Sequence, residues 1–409
     1  MPTPHAARTS LAGALFGVGA VVAGAASQSR LRFGPRRWRH TRGFYEQHAP
    51  QPGHHGEVLA AEPLQAYLLP GLRLRARAWR VLYRSSNLAD EPTTVSGTIL
   101  VPRGRRPVGL VAYAPGTHGL ANYSAPSRLI ARGLDWETAF VANELAHGHA
   151  VVMTDYEGLG TPGDHPYVIG RTIGRNVLDA LRAALSFVPA QLDPDIPIGI
   201  MGYSEGGNAS AWAAELHPVY APELGVVACA SGSIPADLET AGENVDGSVY
   251  AFFGGYGALG LNAAYPALDL GQYLTPEGEH YMYRLRRSSV VTAAVRGPHF
   301  VGFEAMTTEN PLHIPEWQAR MRENKLGRHA PTVPVYLYTS VRDHLVEPSQ
   351  TRDLAMRWRA RGADVHLQEV PAVDHITGFL LGGFGASRWL AARLRQAAQD
   401  ERFAERAVG

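Results

Sequence analysis

Three side chains, far apart in the chain, have the types needed to make an alcohol reactive. Ser204 stands in Gly202-Tyr203-Ser204-Glu205-Gly206-Gly207, Asp343 in Thr339-Ser340-Val341-Arg342-Asp343-His344, and His375 in Val373-Asp374-His375-Ile376. A serine hydroxyl is a poor nucleophile until a base takes its proton, and the base needs a carboxylate to orient it. Ser204 is the candidate nucleophile because Gly-Tyr-Ser-Glu-Gly matches G-x-S-x-G in the required context. The apolar run Ile196–Met201 reads as a buried strand before it, and Ala209–Leu216 reads as a helix after it. Such a turn holds its serine in a strained conformation, and strand and helix pass so close that side chains at Gly202 and Gly206 would clash. The bland alternative is a glycine-rich strand–helix turn with a chance serine.

Asp343 and His375 each follow a strand-like run, and the order Ser, Asp, His is the one this turn accompanies. Asp353, Asp364 and Glu347 are weaker rivals for the acid. His366 lies inside a strand, His329 precedes one, and His344 merely follows Asp343. Asp374 adjoins His375 and is badly placed to orient that same ring. A tetrahedral intermediate also needs backbone donors. The amide of Glu205 is one candidate. The other comes from Pro115-Gly116-Thr117-His118-Gly119, where Pro115 has no N–H, leaving Thr117 or Gly116. Asp155-Tyr156-Glu157-Gly158-Leu159-Gly160 lacks the phosphate-binding patterns and reads as a shaped loop at the site's rim.

The elements that would position these residues alternate along the chain. Leu72–Tyr83 and Thr93–Val101 read as an antiparallel hairpin. Strands at Val108–Ala114, Ala150–Thr154, Ile196–Met201, Leu224–Ala230, Val333–Tyr338 and Val365–Val370 then alternate with helices. Those helices read as Thr138–His147, Arg175–Phe187, the one after Ser204, Gln350–Arg361 and Ala386–Ala398. Alternation of this kind predicts a parallel sheet covered on both faces, with its site at the carboxyl ends of strands. The alternation stops between Ser233 and about Gly327, where an apolar, aromatic, glycine-rich stretch is followed by helical patches. This reads as a mostly helical cap inserted over the site. The expected division is a leader and linker over 1–60, a core over 61–232, the cap over 233–327 and the rest of the core over 328–409.

Bulk properties narrow the classes. The 409 residues carry 38 Lys and Arg against 37 Asp and Glu, a net charge of +1, which gives no reason to expect a nucleic-acid partner. The one cysteine, Cys229, excludes an intrachain disulfide and sits in an apolar run, as a buried structural thiol would. No Cys/His cluster shows metal-ligand spacing, and His54-His55 reads as a solvated pair. Leu11–Ala26 is apolar with Ala23-Gly24-Ala25 at its end, as in an export signal, although six arginines between 30 and 42 oppose translocation. Export or envelope association is the expectation, with a cytoplasmic protein as the alternative.

Taken together, these motifs resemble the secretory lipase family, the lipase A type of α/β-hydrolases. The resemblance rests on Tyr83-Arg84-Ser85-Ser86, Val95-Ser96-Gly97-Thr98, Ala114-Pro115-Gly116-Thr117-His118-Gly119, Ser124-Ala125-Pro126-Ser127 and Asp155–Gly160. The Ser204 turn, the Asp343 loop and Asp374-His375 complete it. The resemblance implies an acyl-ester hydrolase with a helical lid, no cofactor, and Ser204, Asp343 and His375 as triad; a lipid or small-molecule ester is the expected substrate, and the apolar insertion adds an expected transient contact with a lipid interface. It leaves the oligomeric state open. Many relatives carry a cysteine where this chain has Ser124. The competing expectations are an acyltransferase or peptidase on the same fold, or a binding protein whose site is inactive.

Overall fold

The computed structural model describes residues 43–46, 52–297 and 299–408; the Leu11–Ala26 run and the arginines after it lie outside them. Nine strands form one sheet in the order β1-β4-β5-β7-β6-β8-β9-β10-β11. These are β1 (Val58–Leu64), β4 (Ala76–Ser86), β5 (Pro92–Pro102), β6 (Leu110–Ala114), β7 (Ala150–Thr154), β8 (Ile198–Tyr203), β9 (Val226–Gly232), β10 (Val335–Ser340) and β11 (Val365–Val370). The first three pair antiparallel, and β5 meets β7 antiparallel. From β7 onward every pairing is parallel. A two-stranded ribbon, β2 (Tyr67–Leu69) with β3 (Leu72–Arg73), stands apart.

Parallel strands buried on both faces read as continuous apolar runs, and β6, β7 and β8 are buried at every position. Alternate residues feed two cores. Leu110, Ala112, Ile198 and Ile200 join a core with helices α3 (Gly170–Ser186), α4 (Glu205–Tyr220) and α11 (Pro348–Arg359). Val111, Tyr113, Met201 and Tyr203 face the opposite way, toward α1 (Pro126–Ile130), α2 (Thr138–His147) and α12 (His375–Val408). The sheet thus has helices on both sides, as the alternation predicts.

Between β9 and β10 the chain is helical: α5 (Leu238–Val245), α6 (Ala251–Ala264), α7 (Pro276–Leu285), α8 (Val290–Arg296), α9 (Phe303–Met306) and α10 (Pro315–Glu323). This insertion has its own core around Phe252, Tyr256, Leu259, Leu312 and Trp317, which also takes in Leu120, Tyr167 and Ile169 from the sheet domain. It is hydrogen-bonded into that domain: Val290 N donates to His118 O at 2.9 Å and Leu120 N to Ser288 O at 3.1 Å.

Three expectations are corrected. The strand expected over Leu72–Tyr83 is two elements, because the chain leaves the β2–β3 ribbon before joining the sheet at Ala76. An additional edge strand, β1, precedes the hairpin. The last helix, expected from Ala386, begins at His375, the first residue of α12. Gly378, Gly382, Gly383 and Gly385 hide the helix from a propensity reading. Packing demands three of them: a Cβ at Gly378 would lie 2.7 Å from Ser340 Cβ, one at Gly382 2.4 Å from the Tyr338 ring, and one at Gly383 2.5 Å from the Phe140 ring.

The tightest backbone-to-backbone approach in the sheet domain is at the turn from β8 into α4. A Cβ at Gly206 would lie 2.0 Å from the carbonyl oxygen of Ala114, and one at Gly202 would lie 2.1 Å from that of Gly206. Both obstacles are backbone, so neither can rotate away. Gly206→Ala is expected to lower unfolding stability by about 3 kcal/mol or more, measured by urea denaturation. A change below about 1 kcal/mol would mean that the turn can open without disturbing β6.

Candidate active site

Ser204 occupies the turn between β8 and α4 with φ 61° and ψ −120°. A non-glycine residue held there stores on the order of 1–3 kcal/mol of backbone strain. Its amide donates to Gly232 O at 2.9 Å and its carbonyl accepts from Asn208 N at 2.9 Å, so both sides of the turn are pinned. Ser204 remains partly exposed between buried neighbours.

Asp343 lies three residues beyond β10 and His375 five beyond β11, so both stand at the same sheet edge as Ser204. His375 Nδ1 is 2.7 Å from Asp343 Oδ2. The other carboxylate oxygen, Oδ1, accepts from the amides of Leu345 at 3.0 Å and Val346 at 2.9 Å. Burial alone would raise the Asp343 pKa. The His375 ring and these donors outweigh burial and hold it below the ordinary carboxylate range. With Nδ1 facing the carboxylate, Nε2 is the ring nitrogen left for chemistry.

Tyr203, the residue before Ser204, ties the nucleophile turn to the histidine. Its ring lies 4.8 Å from that of His375, and its hydroxyl donates to the His375 carbonyl at 2.7 Å. Ser233, held at φ 39° just after β9, donates to the Tyr203 hydroxyl at 2.8 Å. Among the described residues Ser204 Oγ makes no hydrogen bond in this arrangement; such contacts commonly tighten only when substrate binds. The rivals are elsewhere: His329, His344, His366, Asp353 and Asp364 are exposed, Glu347 precedes α11, and Asp374 caps α12 through Thr377 N at 2.7 Å.

Of the loop donors, Gly116 is spent. Its N–H donates to both oxygens of Glu137, at 2.9 and 3.1 Å, which corrects it as a candidate. Thr117 remains, with its hydroxyl 2.8 Å from that of Tyr167. Glu205 opens α4, so its amide is one of the four N–H groups that a helix leaves unpaired.

A buried charged group that no sequence motif announces supports this loop. His118 Nδ1 is 2.7 Å from Gly116 O, its Nε2 is 3.6 Å from Asp135, and Trp136 stacks on the ring at 4.2 Å. Burial would lower the His118 pKa, but Asp135, with Glu137 beyond it, pushes it up to about 9. Burial raises Glu137 to about 7. Cys229 is buried, its thiol pushed up to about 12 by desolvation, which leaves it inert.

Ser204 lines a cavity of about 760 Å³, counting its open mouth. The walls are nearly all apolar: Leu238, Phe253, Leu261, Phe303, Trp317 and Met321 come from the insertion, Leu345 and Val346 from the Asp343 loop. One group missed by spacing gathers at the opposite end of the sheet. Potential ligand atoms of Glu144, His147 and His149 lie within 4.8 Å of one another. There His149 already engages Glu144 at 2.7 Å, and the Arg105 guanidinium donates to the carbonyls of Leu145 and Ala146, both at 2.7 Å. That neighbouring cation disfavours a metal ion.

A mostly parallel sheet with helices on both faces, and a strained serine turn leaving a central strand, defines an α/β-hydrolase. The model of the secretory lipase family matches residues 124–401, and the chain belongs to that family. It is 30% identical, over 83% of its length and 78% of the relative's, to a Mycobacterium tuberculosis protein named "probable inactive lipase". It is 28% identical to a secreted triacylglycerol lipase of Malassezia globosa, covering 78% of this chain and 70% of that one. Candida antarctica lipase A in its closed state superposes with a TM-score of 0.76 over 87% of this chain and 86% of that chain, at 20% identity.

The His118 cluster generates a pH prediction. A histidine whose folded pKa is raised contributes stability that is fully present below its unfolded value, near 6.5, and lost as pH rises through the folded value near 9. Urea denaturation between pH 6.5 and 9.5 is expected to show a loss on the order of 2–3 kcal/mol. His118→Gln removes that slope; an unchanged slope in the variant would assign it to other groups.

Proposed function

We propose that the protein is a serine carboxylic-ester hydrolase acting on fatty-acyl esters. The observation that carries this reading is a strained serine lining an apolar cavity, with a buried Asp–His pair at the same sheet edge. Ser204 Oγ attacks the ester carbonyl while His375 Nε2 takes its proton. Asp343 orients the ring and stabilises the imidazolium. The oxyanion receives hydrogen bonds from the amides of Glu205 and Thr117. The C–O bond then breaks, and His375 returns the proton to the departing alcohol. A water molecule, deprotonated by the same ring, releases the acid and restores Ser204.

The apolar walls fit an acyl chain, and the segment over 233–327 acts as a cap that shields the acyl-enzyme from bulk water. The chemistry described needs no cofactor. Membership of the secretory lipase family supports export, and no helix of the described residues is long and apolar enough to cross a membrane. Transfer to an alcohol or cleavage of an amide would use the same residues. The apolar cavity favours esters of fatty acids.

The relative named "probable inactive lipase" supports a second reading, a binding protein that retains the fold. A fluorophosphonate probe separates the two. It is expected to label the protein and to fail on Ser204→Ala, which should lose p-nitrophenyl ester hydrolysis with an unchanged melting temperature. Asp343→Asn should lower kcat by on the order of 10³–10⁴. An unlabelled wild-type protein would favour binding alone.

The cavity generates a further expectation. A Cβ at Gly257 meets nothing within 4 Å, and Gly257 lines the cavity. Gly257→Phe should therefore fill acyl space, cutting kcat/KM for dodecanoyl esters at least tenfold while sparing butanoyl esters. Equal losses on both would place the acyl chain elsewhere.

A further inference from the structure

The residue after the nucleophile carries a carboxylate, which is a poor neighbour for a developing oxyanion. Glu205 is buried, and its Oε1 lies 2.7 Å from His165 Nε2. The other ring nitrogen, His165 Nδ1, lies 2.9 Å from the Glu157 carbonyl oxygen. Both nitrogens thus face acceptors. A neutral imidazole has one donor, whereas an imidazolium has two. With Nδ1–H donated to the Glu157 carbonyl, an imidazolium that also donates Nε2–H to the Glu205 carboxylate supplies a proton to both contacts. The His165 side chain is 1% exposed and that of Glu205 3%, so solvent does not screen this pair.

The same histidine touches the other half of the oxyanion site. Tyr167 meets the His165 ring edge-on at 6.1 Å, and the Tyr167 hydroxyl is 2.8 Å from Thr117 Oγ1. Tyr156 lies nearly parallel to the His165 ring at 5.7 Å, with its hydroxyl donating to Pro115 O at 2.8 Å. The 155–168 loop therefore grips the Thr117 turn and the start of α4 at once. Other charges nearby are Asp164, paired at the surface with Arg286 of the insertion at 3.4 Å, and the Glu157 carboxyl, raised to about 7 by burial.

We infer that His165, as an imidazolium, is a positioning residue that neutralises the Glu205 carboxylate and thereby keeps the oxyanion site free of opposing negative charge. The inference rests on the ester-hydrolase reading for its kinetic consequence, but the charge state of the ring is independent of it. An unneutralised carboxylate one side chain from the oxyanion opposes the transition state far more than the neutral ground-state ester. The effect belongs to kcat rather than KM.

Two measurements test this on the full chain. Nitrogen-15 NMR of histidine-labelled protein at pH 7, with the His165 signals assigned by their loss in His165→Asn, is expected to show both ring nitrogens protonated. A neutral ring would overturn the inference whether or not the protein hydrolyses esters. In kinetics, His165→Asn is expected to lower kcat on p-nitrophenyl esters on the order of 10- to 100-fold, with KM within about twofold. Adding Glu205→Gln, which removes the charge and keeps the shape, should recover most of that loss. A double variant as slow as His165→Asn, with an equal melting temperature, would reduce His165 to a packing role and overturn the electrostatic one. A wild-type protein that neither hydrolyses esters nor takes the fluorophosphonate, yet shows the doubly protonated ring, would sink the enzymatic reading and leave the pairing intact.

Discussion

The contact on which everything else depends is the approach of one backbone to another at residues 202–206. The Ala114 carbonyl at the end of β6 sits where a Cβ of Gly206 would be, and Gly202 and Gly206 leave no room between themselves. This closeness forces Ser204 into its unfavourable conformation, and the strain is held by hydrogen bonds on both sides of the turn. It also sets the Glu205 amide beside the turn that follows β6. One packing constraint therefore positions the candidate nucleophile and the candidate oxyanion donors together.

Parallel pairing does the rest of the assembly. Because β6, β8, β10 and β11 run in the same direction, the segments that leave them emerge along one edge. Thr117, Ser204, Asp343 and His375 come from four such segments, separated by as many as 258 residues between first and last (375 minus 117). Tyr203 then fastens two of them, reaching from the end of β8 to the first residue of α12. The insertion closes over this edge, and its backbone bonds to His118 and Leu120 join it to the turn that carries Thr117.

Charge inside the protein is handled by partnering. His375 with Asp343, His165 with Glu205, His118 with Asp135, and His149 with Glu144 are all buried acid–imidazole pairs. Asp155 is held instead by the Ser96 and Ser127 hydroxyls and the Ser127 amide. An isolated charge at any of these depths would be costly, and each partner removes most of that cost. Three of the four pairs stand at the edge that carries the candidate site, where the charge distribution would bear on chemistry as well as on stability.

The sequence alone determined the alternation of strands and helices, because apolar periodicity and buried strand runs are local properties. Val365–Val370, Ala150–Thr154 and Thr138–His147 fall where the pattern puts them. It also marked Ser204 as the candidate nucleophile, because its motif is contiguous, and chain order narrowed the candidates for acid and base. It did not show that Gly116 N–H is consumed by Glu137, that α12 starts at His375, or that His165 and His118 form buried pairs with acids. Each of these depends on a partner at least 17 residues away: Glu137 is 21 from Gly116, Asp135 is 17 from His118, and Glu205 is 40 from His165. No short-range pattern encodes such a distance. The glycines of α12 read as helix breakers until β10 and Tyr203 are seen pressed against them, since close packing outweighs intrinsic propensity only once the packing partner is in place.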